Sequence, residues 1–337
     1  MIIIRPIRNS DYDVLHQIAV ESGHGFTSLP VNEELLLSRI NRATKSFHTE
    51  LENCGDEGYL FVMEDTATGE VVGTTGIESA VGLHDAFYHY HVGKVVHSSR
   101  ELNIHNTVET LTLNNDYTGT SELCTLYLRD NYRVNNNGRF LSKCRMLFMA
   151  EHTKRFNQTV IAEMRGVSDE NGNSPFWQWL EEHFFSLDFP TADYLTGIGK
   201  KEFIAELMPK YPIYVSLLSK EAQKVIGKVH QHTVPALRLL ENEGFVNRGY
   251  VDIFDAGPTV EAELKTIKTV RNSLSLTVKI GDVEGASKAM VCNTKVRDFR
   301  AVQMPIAINQ DDKIAIIDQQ TATALQVNNC DFIILIN

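Results

Sequence analysis

Long apolar runs are missing from this chain. No uninterrupted stretch approaches the roughly 20 residues that cross a bilayer, so a helical membrane span is excluded. Cysteine is scarce as well. The five copies (Cys54, Cys124, Cys144, Cys292 and Cys330) are odd in number, widely spaced and form no C-x-x-C pair. That pattern predicts reduced thiols in a cytoplasmic protein, not a disulfide framework. Clustered His and Cys at metal-ligand spacing are also missing, and no metal is expected. There is no excess of basic charge: 32 Lys and Arg stand against 43 Asp and Glu, a net charge of −11. Such a surface repels phosphate backbones, which argues against a nucleic-acid partner. Neither an internal repeat nor a low-complexity tract is visible. The opening MIIIRPIR has no basic segment before its apolar start and no small-residue cleavage site after it, so it reads as a first strand and not a signal peptide.

What remains is an ordinary globular mixture, 43% hydrophobic and 22% charged, in 337 residues. That length predicts about two domains, or one large domain with an appendage. Residues 2–7 read as a strand. Ser10 is the expected cap of a first helix with Leu15, Ile18, Ala19 and Ser22 inward. Asn32 caps a second helix, on which Leu36, Ile40, Ala43 and Phe47 fall at helical spacing. Tyr59–Glu64 and Val71–Ser79 predict a hairpin around DTATG. Residues from about 80 to 118 read as an insertion with short strands at Lys94–His97 and Glu109–Leu113. Long irregular connections of this kind often form substrate loops, though a decorative excursion fits equally. A strand at 121–128 precedes a buried helix from Gly138 to about Phe156, and TVIAEMRG at 159–166 is a further strand. An aromatic helix begins near Pro175, another helix opens near Thr233 and ends with Gly244, and a strand follows at 249–257. From about 259 short strand-like runs separated by turn residues predict a small β-rich module extending to 337.

The most informative stretch is the strand, loop and helix at 121–156, which contains Arg133-x-x-Asn136-x-Gly138. The first amides of a helix have no intrahelical acceptors, and the helix dipole adds partial positive charge there. A turn that lets them converge can hold a phosphate or pyrophosphate. Gly138 permits close backbone approach, and Asn136 is the best ordinary substitute for glycine in a left-handed conformation. Arg133 and Arg139 can add charge-assisted contacts. The same residues also suit a plain turn and helix cap.

About 100 residues later the chain reads VPALRLLENEGF at 234–245, followed by a strand. Together with R-x-x-N-x-G this resembles the acyl-coenzyme A N-acyltransferase (GNAT) superfamily. Its phosphate loop is usually written Q/R-x-x-G-x-G/A, and Asn136 here replaces the first glycine. Longer strings resemble the arginine N-succinyltransferase family: GFTSLPVNEE at 25–34, VGLHDAFYHYHVGKVVHSS at 81–99, TGTSELCTLYL at 118–128, AEMRGVSDENGNSPFW at 162–177, FIAELMPKYPIY at 203–214, VIGKVHQHTVPA at 225–236 and YVDIFDAGPTVEA at 250–262. The likeness covers nearly the whole chain to about residue 262 and is fainter beyond.

The resemblance implies an α/β GNAT-like fold. It would have a mixed, mostly antiparallel sheet flanked by helices in an acyltransferase domain over 1–258, with the insertion at about 80–118 and a β-rich module over 259–337. It implies transfer of a succinyl group from the co-substrate succinyl-coenzyme A to the α-amino nitrogen of L-arginine, the first step of the succinyl route of arginine degradation. An acyltransferase acting on ornithine or another amine, and a non-catalytic paralogous subunit, are the rival readings. His230 looks like the histidine to which the family assigns proton donation, with His232 as its rival. A backbone contact to the acyl donor is implied at Leu126, with the pyrophosphate on the amides of Asn136, Asn137, Gly138, Arg139 and Phe140. For the guanidinium of arginine, Glu122 and Glu163 are the expected carboxylates. Arg165, with Arg145 behind it, is the expected cation for the succinyl carboxylate. Residues 163 and 165 share a strand phase, so they can also pair with each other. His24, Ser28, His84 and Tyr90 are candidates for the arginine pocket. A homodimer, or a pair of related chains, is the expected assembly.

Overall fold

The second helix begins where its sequence says it should. In the computed structural model, Asn32 is extended and its Oδ1 accepts the Leu35 amide at 3.0 Å, which satisfies an orphan donor of the first turn. Residues 1–23, 28–170, 172–200 and 202–336 are described. His24 lies outside them. After β1 (Ile2–Pro6), one tight turn leads into α1 (Tyr12–Ser22). The turn is closed by Asp11, not by the expected Ser10: Asp11 Oδ2 accepts the Arg8 amide at 2.7 Å, while Arg5 grips both carboxylate oxygens at 2.7 and 2.9 Å. A buried arginine pair outcompetes a serine hydroxyl for that role. Helix α2 (Glu33–His48) buries Leu36, Ile40, Ala43 and Phe47, as its spacing predicts.

β2 (Gly58–Asp65) and β3 (Glu70–Glu78) form the expected hairpin. The insertion differs from the expectation. Its two short strands are one long hairpin, β4 (His89–Ser99) and β5 (Ile104–Asn114), paired from His89↔Asn114 to Ser99↔Ile104. Most of its outer half is exposed on both faces, so no inward face imposed an apolar alternation on the sequence. β6 (Ser121–Leu128), α3 (Asn137–Glu151) and β7 (Thr159–Glu163) follow. Four short helices come next: α4 (Pro175–Leu180), α5 (Phe189–Gly197), α6 (Glu202–Leu207) and, after β8 (Ile213–Tyr214), α7 (Lys220–Val225). They pack Phe176, Trp177, Ile204 and Ala222 beneath the base of the long hairpin, in a core that also holds Tyr90 and Leu111. α8 (Val234–Glu243) ends at Gly244, which is left-handed at φ 103°. β9 (Val246–Val251) and β10 (Pro258–Glu263) complete the main sheet, and α9 (Lys268–Asn272) leads out of it.

The remainder is β11 (Leu274–Ile280), β12 (Ser287–Asn293), β13 (Ala301–Asn309), β14 (Ile314–Ile317), α10 (Gln319–Leu325) and β15 (Phe332–Ile336). The sheet order is β12-β15-β11-β14-β13-β1-β2-β3-β6-β7-β10-β9-β4-β5-β8, and β12 also pairs with β13. That extra pairing closes β11–β15 into a five-stranded barrel, which removes its free edges. β1 joins the barrel to the main sheet through Ile3↔Val302 and Ile4↔Ala301. Among the described residues only β6–β7 and β11–β14 run parallel.

Candidate active site

The parallel pair at the sheet centre is short. β6 and β7 pair through Ser121↔Val160 and Glu122↔Ile161, after which β6 continues six residues without β7. A wedge opens between them. On its other side β6 pairs with β3, but the register slips: Thr74 faces Tyr127 and Gly76 faces Cys124, so Thr125 and Leu126 together oppose Thr75. Thr125 has φ 55°, which marks a β-bulge. A bulge leaves ladder groups unpaired and re-aims the strand, and this one lies at Leu126, the expected backbone contact. The Leu126 side chain packs against the main core, so backbone and side chain have separate tasks.

The chain then turns into α3. Asn135 and Asn136 are both left-handed, at φ 52° and 64°, and Asn136 is the N-cap without a side-chain cap bond. Asn137 donates its amide to Val134 at 2.9 Å and its side chain to Tyr132 O at 3.1 Å; the Phe140 amide reaches Asn136 O at 2.9 Å. Among the described residues the amides of Asn136, Gly138 and Arg139 meet no acceptor. A Cβ on Gly138 would touch only Leu128 Cδ2, at 3.9 Å, so the space above it is open. Arg133 donates Nε to Leu128 O at 3.0 Å and pairs with Asp130 at 3.0 Å, and Arg139 stays exposed. The loop thus offers unpaired donors, two cations and room for a ligand.

At the other end of β6 lies a cavity of about 370 Å³. Glu78, Glu122 and Glu163, from three neighbouring strands, line it together with Asp252 and Asp56, opposite Arg39 and Arg42 of α2. Glu78 faces Glu122 directly in the β3–β6 ladder. The three glutamates are not equivalent. Glu78 is neutralised by Arg42 at 2.7 Å and Arg39 at 3.7 Å. Glu163 lies 2.9 Å from Nε2 of His89, a fully buried imidazole that burial pushes down to about 4, so it is neutral. Glu122 has no cation within ion-pair distance among the described residues. Burial, then the charges of Glu163 and Glu78, push its carboxyl up to about 8. Ser28 and His84 line this cavity, whereas Tyr90 is buried elsewhere with its hydroxyl 3.2 Å from Met208 Sδ.

His230 stands beyond the end of β7. Its amide donates to Arg165 O at 2.9 Å, next to the bridge Gly166↔Val229. Asp255 fixes this crossing by accepting the amides of Gly166 at 2.6 Å and Gly257 at 2.8 Å. His230 Nδ1 accepts the His232 amide at 3.2 Å, so the neutral ring carries its proton on Nε2. Partial burial, then Arg165 and His232, lower its pKa. The His232 ring lies 4.9 Å away, on the exposed side. Arg165 reaches Ser168 Oγ at 3.0 Å, and its buried Nε has no hydrogen-bond partner among the described residues. It lies past the strand end and is not among the residues lining the carboxylate cavity, so Glu163 and Arg165 do not share one pocket wall. Arg145 is 2% exposed, with donors on Ser142 and on the Cys124 carbonyl, and acts within the core. Sequence reasoning missed Glu78, Arg39, Arg42, His89 and Asp252. Glu78 was legible only through the register that sets it opposite Glu122. Among the described residues no group of His, Cys, Asp and Glu could hold a metal ion.

Comparison with known proteins identifies the lineage. Residues 2–269 match the family described as arginine N-succinyltransferase beta subunit, and residues 274–337 match its C-terminal domain. The chain belongs to the arginine N-succinyltransferase family. Its relatives in this family include the arginine N-succinyltransferases of Escherichia coli O139:H28 strain E24377A and of strain K12 / DH10B. Each is 51% identical over 304 residues, covering 90% of this chain and 88% of the relative. The solved arginine/ornithine succinyltransferase subunit AI from Pseudomonas aeruginosa is 35% identical with a TM-score of 0.92, over 100% of this chain and 98% of that one. The architecture is α/β and GNAT-like, with a mixed, mostly antiparallel sheet, one splayed parallel pair at its centre and a helix rising from the loop after β6. The first matched region ends inside α9 and the second begins with β11, where the main sheet gives way to the barrel.

Proposed function

We propose that this chain is an arginine N-succinyltransferase that moves the succinyl group of succinyl-CoA onto the α-amino nitrogen of L-arginine, releasing N2-succinylarginine and CoA. The observation that carries this reading is the continuity of β6. One strand links a carboxylate-lined cavity, a bulged wedge and a helix start with unpaired amides. The pyrophosphate of the coenzyme then lies on the amides of Asn136, Gly138 and Arg139, flanked by the side chains of Arg133 and Arg139; of the expected run, the Asn137 and Phe140 amides are already taken by Val134 O and Asn136 O. The thioester enters the wedge, where the Leu126 amide faces the carbonyl oxygen and stabilises the charge of the tetrahedral state.

The α-amine loses its proton with little cost: at a pKa near 8, the neutral form at pH 7 costs about 1.4 kcal/mol. Attack forms the C–N bond and the C–S bond then breaks. His230 presents Nε2–H to the departing sulfur, and the proton the sulfur gains comes finally from the attacking nitrogen. Glu122, with Glu163 beside it, takes the guanidinium; Glu78 is already occupied by Arg42 and Arg39. Arg165 suits the succinyl carboxylate, because its buried Nε lacks a hydrogen-bond partner among the described residues. The Pseudomonas relative is titled an arginine/ornithine succinyltransferase, and a cavity of carboxylates also accepts a shorter ammonium chain. Turnover of succinyl- and acetyl-CoA with arginine, ornithine and lysine tests the assignment. Faster reaction with acetyl-CoA, or no thiol release with any amine, overturns it. Pairing with a second copy or a related chain belongs to the same reading. The tip of the long hairpin supports it by exposing Val96, Leu102 and Ile104, and light scattering at two concentrations tests it. A cytoplasmic setting is consistent with five unpaired cysteines.

A further inference from the structure

A second cavity, of about 290 Å³, shares no lining residue with the carboxylate cavity. It sits at the seam between the acyltransferase sheet and the barrel. Arg8 and Asn9 enter it from the end of β1, Thr44 and His48 from the last turn of α2, and Arg297 and Arg300 from the loop between β12 and β13. Among the described residues Asp298 is the lone acid of its wall. In a protein of net charge −11, a wall of three arginines and a histidine is an inversion of sign.

The arginines are also unpaired. Among the described residues Arg8, Arg297 and Arg300 make no ion pair, whereas nearby Arg5 is fully engaged by Asp11 and Glu64. Arg300 is 7% exposed, and among the described residues its guanidinium makes one hydrogen bond, from Nη1 to the carbonyl of the preceding Phe299 at 2.8 Å. Burial, then Arg8 and Arg5, weaken its hold on its proton, and Asp298 and Glu64 only partly offset this. A buried guanidinium without a carboxylate is costly unless something else neutralises it. The cavity in front of it has room for several water-sized groups. His48 Nδ1 is taken by Thr44 O at 2.6 Å, which leaves Nε2 as its free nitrogen.

We propose that this seam cavity binds a small multivalent oxyanion, of phosphate or dicarboxylate type, held by Arg300 with Arg8 and Arg297. Guanidinium groups match both geometries in bidentate fashion. Bound there, the anion links the end of β1 and α2 to the barrel loop, and so stabilises the folded chain by mass action. The test is calorimetry and thermal denaturation of the full chain in chloride buffer, with inorganic phosphate and succinate as separate probes. Saturating CoA is present throughout to occupy the loop before α3. Saturable binding with a rising melting temperature is expected for at least one probe. Phosphate alone would mark a tetrahedral anion, succinate alone a dicarboxylate. The double variant Arg8→Gln/Arg297→Gln alters two exposed side chains and leaves the buried one in place; it should weaken binding about tenfold or more. Arg300→Gln should abolish it. Binding unchanged in the double variant, or no saturable signal from either probe up to about 10 mM, overturns the proposal.

Discussion

His230 illustrates how one hydrogen bond assigns a chemical role. Because the His232 amide occupies Nδ1, only Nε2 is free to meet the leaving sulfur. Replacing His230 by Ala should lower kcat by about 10²–10⁴ while leaving CoA affinity in place, as stopped-flow thiol release and calorimetry would show. The lowered pKa places its ring titration below the ordinary imidazole value of 6.5. An NMR titration midpoint above 6.5 would contradict this. Glu122 carries the opposite shift. Its folded-state carboxyl is raised from 4.5 to about 8, so the folded chain holds a proton that the unfolded chain has released. Between those values the unfolded state binds fewer protons, and Glu122 makes stability fall as pH rises from about 4.5 to about 8, with no further change above. Glu122→Gln should therefore flatten the decline of melting temperature over that window. It should also remove the proton release that accompanies arginine binding at neutral pH, measured by calorimetry in buffers of different ionisation enthalpy. Glu122 and Glu163 were legible in the sequence as carboxylates on neighbouring strands. The partner that makes them unequal, His89 on β4 beside Glu163, and the Arg42 of α2 that occupies Glu78 come from remote elements and left no local signal.

The loop and helix at 133–140 were legible as an element because their chemistry is local. A left-handed Asn136, a glycine two residues on and a buried helix all follow from residue type. The bulge at Thr125 was not, since nothing in CTLYL announces a residue at φ 55°. It exists because β3 and β6 slip by one residue, a property of the pair. Two substitutions separate ligand geometry from folding here. Gly138→Val places a side chain in open space, with Leu128 Cδ2 as its nearest neighbour. The melting temperature should stay near that of the parent, while CoA affinity falls more than about tenfold by calorimetry. Asn136→Gly restores the glycine usual at this position of the superfamily loop. It suits the observed φ of 64° without strain, and CoA affinity should be retained. Loss of binding in Asn136→Gly would mean that the asparagine side chain, and not the backbone turn, holds the coenzyme.

At the scale of the whole molecule the barrel is bound to the acyltransferase half by more than the β1–β13 ladder. Met290, Cys292, Phe299, Ala301 and Ile334 from the barrel segment belong to the same core as α2, α3 and the central strands. Phe299 lies edge-on to Phe61 at 5.3 Å and to Phe148 at 5.1 Å. The sequence showed short strands after residue 259 but not their closure, because barrel closure depends on long-range pairing such as Val291↔Val302 and Val291↔Leu335. The shared core implies one cooperative unit. Phe299→Ala should then destabilise the acyltransferase half as well as the barrel, by about 3–5 kcal/mol for a fully buried ring. Hydrogen exchange reads this directly. Amides of β2 and α3 should lose protection together with those of β12 and β13 in the variant. Were protection lost in the barrel strands alone, the two halves would unfold independently, and the barrel would be an appendage with its own stability.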